Sequence, residues 1–327
     1  MSYTGQKMQA AGASEYDDVQ EVMRDIISGF AETPPRLPSK YFYDEAGSVL
    51  FDQICALPEY YPTRTETRIL EDNIASVCEA IGTGSLLIEP GCGSCDKTRI
   101  ILEQHDKLAG FVPIDISSDY LNNTARELQE RYPQVRIQPL ALDFMQPFEL
   151  PAFEADISAA RRVVFYPGST LGNFTPARAR KFLEQMASLM GAGGRMILGL
   201  DQKKDAHMLE RAYDDAQGVT ASFNLNMLHH LNRRLKQPVF DPEKFEHRAR
   251  WNEEKSRIEM HLVSTDSQYV QLDGNIYNFA KNDYIVTEYS HKYTDGMLTG
   301  LIDGLFEIAQ VWKDDDEFFG LYCLKPV

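Results

Sequence analysis

The chain of 327 residues is 43% apolar, 25% charged and 11% aromatic, a composition that excludes a disordered protein and leaves room for about two domains. With 33 basic against 49 acidic residues its net charge is −16, which disfavours nucleic-acid and anionic-membrane partners, since both require a basic footprint, and favours a small substrate. No apolar run reaches the length of roughly 18 residues that a membrane helix needs, and the odd set of five cysteines reads as reduced thiols in cytoplasm.

Taken in chain order, residues 1–15 are polar and predict a flexible tail. A helical stretch over Val19–Phe30, a proline-rich link (Pro34, Pro35, Pro38) and an aromatic segment follow. Ile69, Leu70, Ile74, Val77 and Cys78 mark one face of a helix. Ser85–Pro90 is a short apolar strand that runs into the turn Gly91-Cys-Gly-Ser-Cys95. Further strands are predicted over Phe111–Asp115, Arg136–Leu142, Arg162–Tyr166 and Met196–Leu200, with Ser117 and Ser118 as helix caps after the first of them. Thr175-Pro176 opens a helix that carries Phe182, Leu183, Met186, Leu189 and Met190 on one face. Strand–helix alternation of this kind implies a parallel sheet covered on both faces. Residues 204–235 read as helical and 245–290 as an antiparallel meander, followed by a helix over Met297–Ile308 and a strand over Phe319–Leu324. The pattern is one α/β domain interrupted by an insertion that packs with the N-terminal segment.

Three strand-end features carry chemistry. Glu89-Pro-Gly-Cys-Gly-Ser94 lets backbone pass close to a ligand at a helix start. Asp115, at the end of the next strand, stands where a nucleoside-binding fold puts a carboxylate on ribose hydroxyls. Asp143-Phe144 adds an acceptor for an adenine amino group beside an aromatic wall. Together they point to an adenosine-containing ligand. The turn lacks the third glycine of a pyrophosphate-binding fingerprint, so S-adenosylmethionine suits it better than a dinucleotide. Cys92 and Cys95 have redox spacing, but no second pair exists for zinc, and structural thiols are expected with no metal. His229-His230 reads as a solvated or partly packed helical face. Tyr41-Phe-Tyr-Asp44 and Pro58-Glu-Tyr-Tyr-Pro62 read as packing or as an aromatic-lined pocket for a cationic methyl donor and an ammonium product. The loop Phe165–Phe174 leaves the carboxyl edge of a strand, where open parallel sheets bind ligands. Thr287-Glu-Tyr-Ser-His-Lys292 is densely polar beside core-like runs, with Glu288 and Ser290 on one face of the predicted strand, and reads as a strand end or as part of a site.

These segments resemble the ergothioneine-pathway L-histidine Nα-methyltransferases, which convert histidine into the trimethylated betaine hercynine. The resemblance is carried by Tyr41–Asp44, Leu57-Pro-Glu-Tyr-Tyr-Pro-Thr-Arg-Thr-Glu66, Gly91-x-Gly-Ser-x-x-Lys-Thr-Arg99 and Pro167-Gly-Ser-Thr-Leu-Gly-Asn-Phe-Thr-Pro176. It continues through Ala212–Thr220, Ala221–Asn226, Arg257-Ile-Glu-Met260 and Thr287-Glu-x-Ser290, so it covers almost the whole chain. It implies a Rossmann-like class I methyltransferase core, a mostly parallel sheet with helices on both faces, over 65–203 plus 291–327. A second, discontinuous α+β substrate-binding domain is expected over 16–64 plus 204–290. The resemblance implies S-adenosylmethionine as donor, held by Tyr43, Gly91, Lys97, Asp115, Asp143, Phe144 and Gly168. It implies Tyr60, Asn173 and Tyr213 at the amino and carboxylate groups of histidine, Glu288 and Ser290 on its imidazole, and Met260 against the ring. Tyr43 and Tyr60 are the candidates for steering the amine during catalysis. A cytoplasmic monomer is expected. The alternatives are an N-methyltransferase for another small amino acid and a non-catalytic adenosine-ligand sensor.

Overall fold

The computed structural model describes residues 15–105, 107–150, 153, 157 and 160–327. The tail expected at residues 1–15 lies outside them except for Glu15, where helix α1 (Glu15–Phe30) begins. The central layer is an eight-stranded sheet. Strands β1 (Leu86–Pro90), β2 (Gly110–Asp115), β3 (Arg136–Ile137), β4 (Leu140–Ala141), β5 (Arg162–Tyr166) and β6 (Arg195–Asp201) run parallel, in the order β6-β5-β1-β2 with β3 and β4 both on β2. An antiparallel hairpin, β12 (Phe306–Lys313) and β13 (Phe319–Pro326), extends the sheet beyond β6. All residues of β1 are buried, as expected of a strand covered on both faces. Separate apolar clusters pack on the two sides of the sheet, one including Leu87, Phe111, Val163 and Ile197, the other Ile88, Val112, Val164 and Leu198. This alternation is the period of two expected of strands.

The first helical face resolves into two helices, α3 (Tyr61–Asp72) and α4 (Ile74–Ile81), which meet at Asn73. The strand predicted over Arg136–Leu142 is broken into β3 and β4. Helices α5 (Asp96–Gln104) and α6 (Ser118–Arg131) follow β1 and β2, and α7 (Pro176–Met190) follows β5. Thr175 caps α7 through the Arg178 amide as predicted, whereas Ser117 precedes α6 without a side-chain cap. The predicted helix over Met297–Ile308 is corrected: helix α10 (Asp295–Ile302) ends at Ile302, and Ile308 lies within β12.

A second body of structure packs against the carboxyl edge of the sheet. Strands β7 (Phe245–Asn252), β8 (Arg257–Ser264) and β11 (Tyr284–His291) form an antiparallel sheet in the order β11-β8-β7, and β9 (Gln268–Leu272) pairs with β10 (Asn275–Phe279). Backbone from the N-terminal segment adds itself to β11, with Val286 N donating to Pro35 O and Leu37 N to Val286 O. Residues of α1, α2 (Glu45–Ala56), α8 (Ala206–Tyr213) and α9 (Val219–Leu235) share one apolar cluster with β7, β8 and β11. His230 is buried there and donates from Nδ1 to Tyr41 O at 2.8 Å, while His229 beside it is exposed, so the pair is solvated on one side and packed on the other. Among the described residues no helix is long and apolar enough to cross a membrane.

Two close approaches join these parts. A Cβ at Gly172 would lie 2.8 Å from His291 O, so only glycine lets the turn Thr170–Asn173 reach the end of β11. His291 Nδ1 donates to Gly172 O at 2.8 Å and fastens that contact. Gly199 of β6 leaves room for the buried Glu66 carboxylate of α3, whose Oε1 would be 1.9 Å from an added Cβ. Gly199→Ala is expected to cost about 1–3 kcal/mol of stability through overpacking. Glu66 Oε2 also holds Lys97 and Gly168 N, so the same change should loosen those contacts. Thermal melts would check the loss, and a variant as stable as the parent would refute the close packing.

Candidate functional site

The β1 turn is hooked over β2: Gly91 N and Cys92 N donate to Ile114 O at 2.7 and 3.1 Å. Gly91 and Gly93 have φ of +70° and +53°, values that favour glycine, and an added Cβ at Gly93 would meet nothing within 4 Å. The turn therefore presents bare backbone. Asp115 borders it, accepting from Gly93 N at 3.1 Å and from Ser117 N at 3.0 Å. Asp143 follows β4, which pairs with the end of β2, so the two carboxylates stand at neighbouring strand ends. The Phe144 ring lies 3.3 Å from where a Gly91 Cβ would be, and packs edge-on against Tyr166 and Phe182.

Lys97 is ion-paired with Glu66, whose Oε2 also accepts from Gly168 N at 2.8 Å. Its charge is thus met inside the protein and is not left for a phosphate. Bare backbone, two carboxylates and an aromatic wall fit the hydroxyls and amino group of an adenosine with no phosphate, as S-adenosylmethionine presents. Glu89 at the end of β1 is buried, which pushes its carboxyl up to about 8 despite the Thr98 hydroxyl donating to it and the nearby Lys97. Cys92 and Cys95 are both buried free thiols, raised above the ordinary range.

The opposite wall is aromatic. Tyr43 packs edge-on against Phe51 and Phe223, with ring centres 5.9 Å away in both cases. Its main-chain oxygen accepts from Ser117 Oγ at 3.3 Å, next to Asp115. Tyr60 is buried and packs edge-on against Tyr213 at 5.8 Å. Burial lifts both phenols well above their usual range, and the Glu288 carboxylate adds to this. Asp115 contributes as well at Tyr43, so that phenol lies within the fields of both Glu288 and Asp115. Both phenols are therefore neutral hydroxyls near pH 7.

Glu288 lies on β11 directly across from Met260 of β8. Burial raises its carboxyl to about 7, opposed by the Lys292 charge and a hydrogen bond from Asn173. That bond reaches it from the turn that Gly172 seats on β11. Ser290, two residues on, is buried and its hydroxyl is 2.8 Å from the Tyr213 hydroxyl. Tyr213 is in turn fixed through its main chain. Asn224 Nδ2 donates to His247 Nδ1, which leaves Nε2–H to donate to Tyr213 O, both at 2.8 Å.

Sequence reasoning missed a buried charge cluster behind this wall. Lys292 is fully buried and pairs with Asp201 at 2.7 Å. Lys204 pairs with the other Asp201 oxygen, and Tyr61 bridges the two, donating to Asp201 and accepting from Lys204, both at 2.8 Å. Burial opposes the Asp201 anion, but the two lysines outweigh it and hold the carboxyl below its usual range. Burial pushes Lys204 down to about 8. A signal for Lys292 was present: Glu288, Ser290 and Lys292 stand at every second position and share one face.

The structure thus brings Tyr43, Asp115, Gly91, Asp143 and Phe144 around one end of the site, with Lys97 and Gly168 joined through Glu66. Tyr60, Tyr213, Ser290, Glu288, Met260 and Asn173 gather at the other. Residues 22–326 match the family described as histidine-specific, S-adenosylmethionine-dependent methyltransferases. The chain is 38% identical over 310 residues to histidine N-alpha-methyltransferase of Mycolicibacterium smegmatis, spanning 92% of this chain and 94% of that protein. It is 40% identical over 307 residues to the protein of the same name from Mycobacterium tuberculosis, spanning 91% of this chain and 92% of that one. A third relative, ergothioneine biosynthesis protein 1 of Schizosaccharomyces pombe, is 26% identical over 88% of this chain and 39% of its own length. On the family match across nearly its whole length and on these identities, the chain belongs to the histidine-specific, S-adenosylmethionine-dependent methyltransferases.

Proposed function

We propose that this protein methylates the α-amino nitrogen of L-histidine three times, giving hercynine, the first step of ergothioneine biosynthesis. The observation that carries the reading is the carboxylate and hydroxyl of Glu288 and Ser290 on one strand face, opposite Met260, in an aromatic pocket beside the bare glycine turn. An imidazole offers two nitrogens to such a pair, and a phenyl or alkyl side chain offers none. The two lobes divide the work in this reading: 65–203 plus 291–327 serve the donor, and 16–64 plus 204–290 serve the acceptor. A monomer acting in the cytoplasm fits the free thiols and the acidic charge.

S-adenosylmethionine supplies an electrophilic methyl on a sulfonium. Gly91, Asp115, Asp143 and Phe144 hold the adenosine end, with Lys97, Gly168 and Tyr43 toward the amino-acid end. Tyr60, Asn173 and Tyr213 orient the amino and carboxylate groups of histidine. An exposed α-amino group with a pKa of about 8 is roughly a tenth neutral at pH 7, and free histidine, with its adjacent carboxylate, is more basic, so the site's task is to orient the neutral form and no strong base is obligatory. Neutral phenols at Tyr43 and Tyr60 can accept from an amine N–H and release it as methyls accumulate. Their rings and that of Phe223 favour the growing positive charge. Fixing the amine in line and excluding water removes several kcal/mol of the barrier.

Mass spectrometry of histidine incubated with the protein and S-adenosylmethionine tests this directly. One, two and three added methyl groups on the α-nitrogen are expected. Unmodified histidine, or equal methylation of tryptophan in competition, would overturn the assignment.

A further inference from the structure

We propose that Lys292 is a positioning residue for the histidine substrate: by donating to both the Tyr213 and Ser290 hydroxyls, its ammonium leaves that pair one proton and one acceptor site for the pocket, on different atoms. The side chain is fully buried, and its three donors have three acceptors: Asp201 at 2.7 Å, Tyr213 at 2.8 Å and Ser290 at 2.8 Å. An ammonium can only donate. Each hydroxyl therefore gives one of its two acceptor sites to Lys292. The two hydroxyls are also 2.8 Å from each other, so one donates to the other. The donating oxygen keeps one free acceptor site and no free proton. The receiving oxygen keeps its proton and no free acceptor site. The trio thus offers a ligand one donor and one acceptor, on different atoms.

The ligand resolves which is which. If ionised Glu288 accepts the N–H of a neutral imidazole, the second ring nitrogen is an acceptor and needs an O–H. That requires Ser290 to keep its outward proton, Tyr213 to donate to Ser290, and the free Tyr213 acceptor site to meet a substrate N–H. An imidazolium would need the reverse arrangement, with Ser290 donating to Tyr213, and would then oppose the Tyr213 proton to the substrate N–H. Without the ammonium, both oxygens regain an acceptor site, so Ser290 could keep its outward proton and still accept an N–H, and the pair would no longer discriminate. Lys292 also favours the ionised Glu288, which faces Asn173 from the Thr170–Asn173 turn and the phenols of Tyr43 and Tyr60. Asp201 supplies the counter-charge, and it serves Lys204 as well.

The inference rests on the histidine reading, and wild-type turnover of histidine tests that reading separately. Lys292→Met removes the charge at similar size, and Asp201→Asn with Lys292→Met removes both members of the buried pair. In each, the histidine KM should rise about tenfold or more, as for one lost hydrogen bond. S-adenosylhomocysteine affinity should stay within about twofold, and the acid limb of kcat/KM for histidine should move to higher pH. An unchanged histidine KM in a variant that still binds S-adenosylhomocysteine would refute the role. So would a parallel loss of both affinities in both variants, which would make Lys292 a structural residue only. If the single variant does not fold, the double variant decides.

Discussion

Replacing Glu288 with alanine should raise the KM for histidine by roughly a hundredfold or more while leaving S-adenosylhomocysteine affinity within about twofold. A lost hydrogen bond to a charged group is worth about 1.5–3 kcal/mol, and sites built on buried polar partners reject ligands that cannot pair by larger factors still. The ring N–H would face the void left beside Met260 with no acceptor. Steady-state kinetics with each substrate varied in turn would reveal the split, and unchanged histidine kinetics would remove Glu288 from substrate recognition. The wild-type pH profile should also carry a limb near pH 7, where Glu288 ionises, that the variant lacks.

The same carboxyl has a signature in stability. Burial raises it in the fold from 4.5 to about 7, so between those values the folded chain holds a proton that the unfolded chain has released. Its favourable contribution is therefore complete below about pH 4.5 and is lost as pH rises through about 7. Glu288→Gln, which is neutral throughout, should gain thermal stability relative to the parent at pH 8 and much less at pH 5. Melts at both values would show it.

Asp115→Ala should weaken S-adenosylmethionine and S-adenosylhomocysteine by about 1–3 kcal/mol, on the order of 10–100-fold. Two effects add. The ligand loses an acceptor for its hydroxyls, and the Gly93 and Ser117 amides lose the carboxylate that orders the turn. Calorimetric titration with S-adenosylhomocysteine is the measurement, and equal affinity in the variant would exclude Asp115 from the donor site.

What could be read before the structure depended on how local the signal was. Strands β1, β2, β5 and β6 are continuous apolar runs ending in glycine or acid, and Thr175-Pro176 opens a helix on its own chemistry. Strand β12 was invisible because most of it is exposed and lacks an alternating apolar face. The apolar residues from Met297 to Leu305 also keep a helical spacing beyond Asp303-Gly304, where the helix stops. At the site, Glu288 and Ser290 could be paired by their spacing on one strand. The cluster of Asp201, Lys204, Lys292 and Tyr61 could not, since its members come from β6, the segment after it, the end of β11 and α3. No periodicity encodes such a meeting.

The seat of the Thr170–Asn173 turn on β11 has a mechanical consequence. Asn173 rides on the loop after β5, and Glu288 on the sheet of the other lobe, yet His291 and Gly172 tie those two carriers together a few residues from both. A hinge opening at this joint would pull apart the very groups that grip the acceptor. The contacts of Tyr43 and helix α2 with α9, made through the Phe223 ring, lie outside that joint.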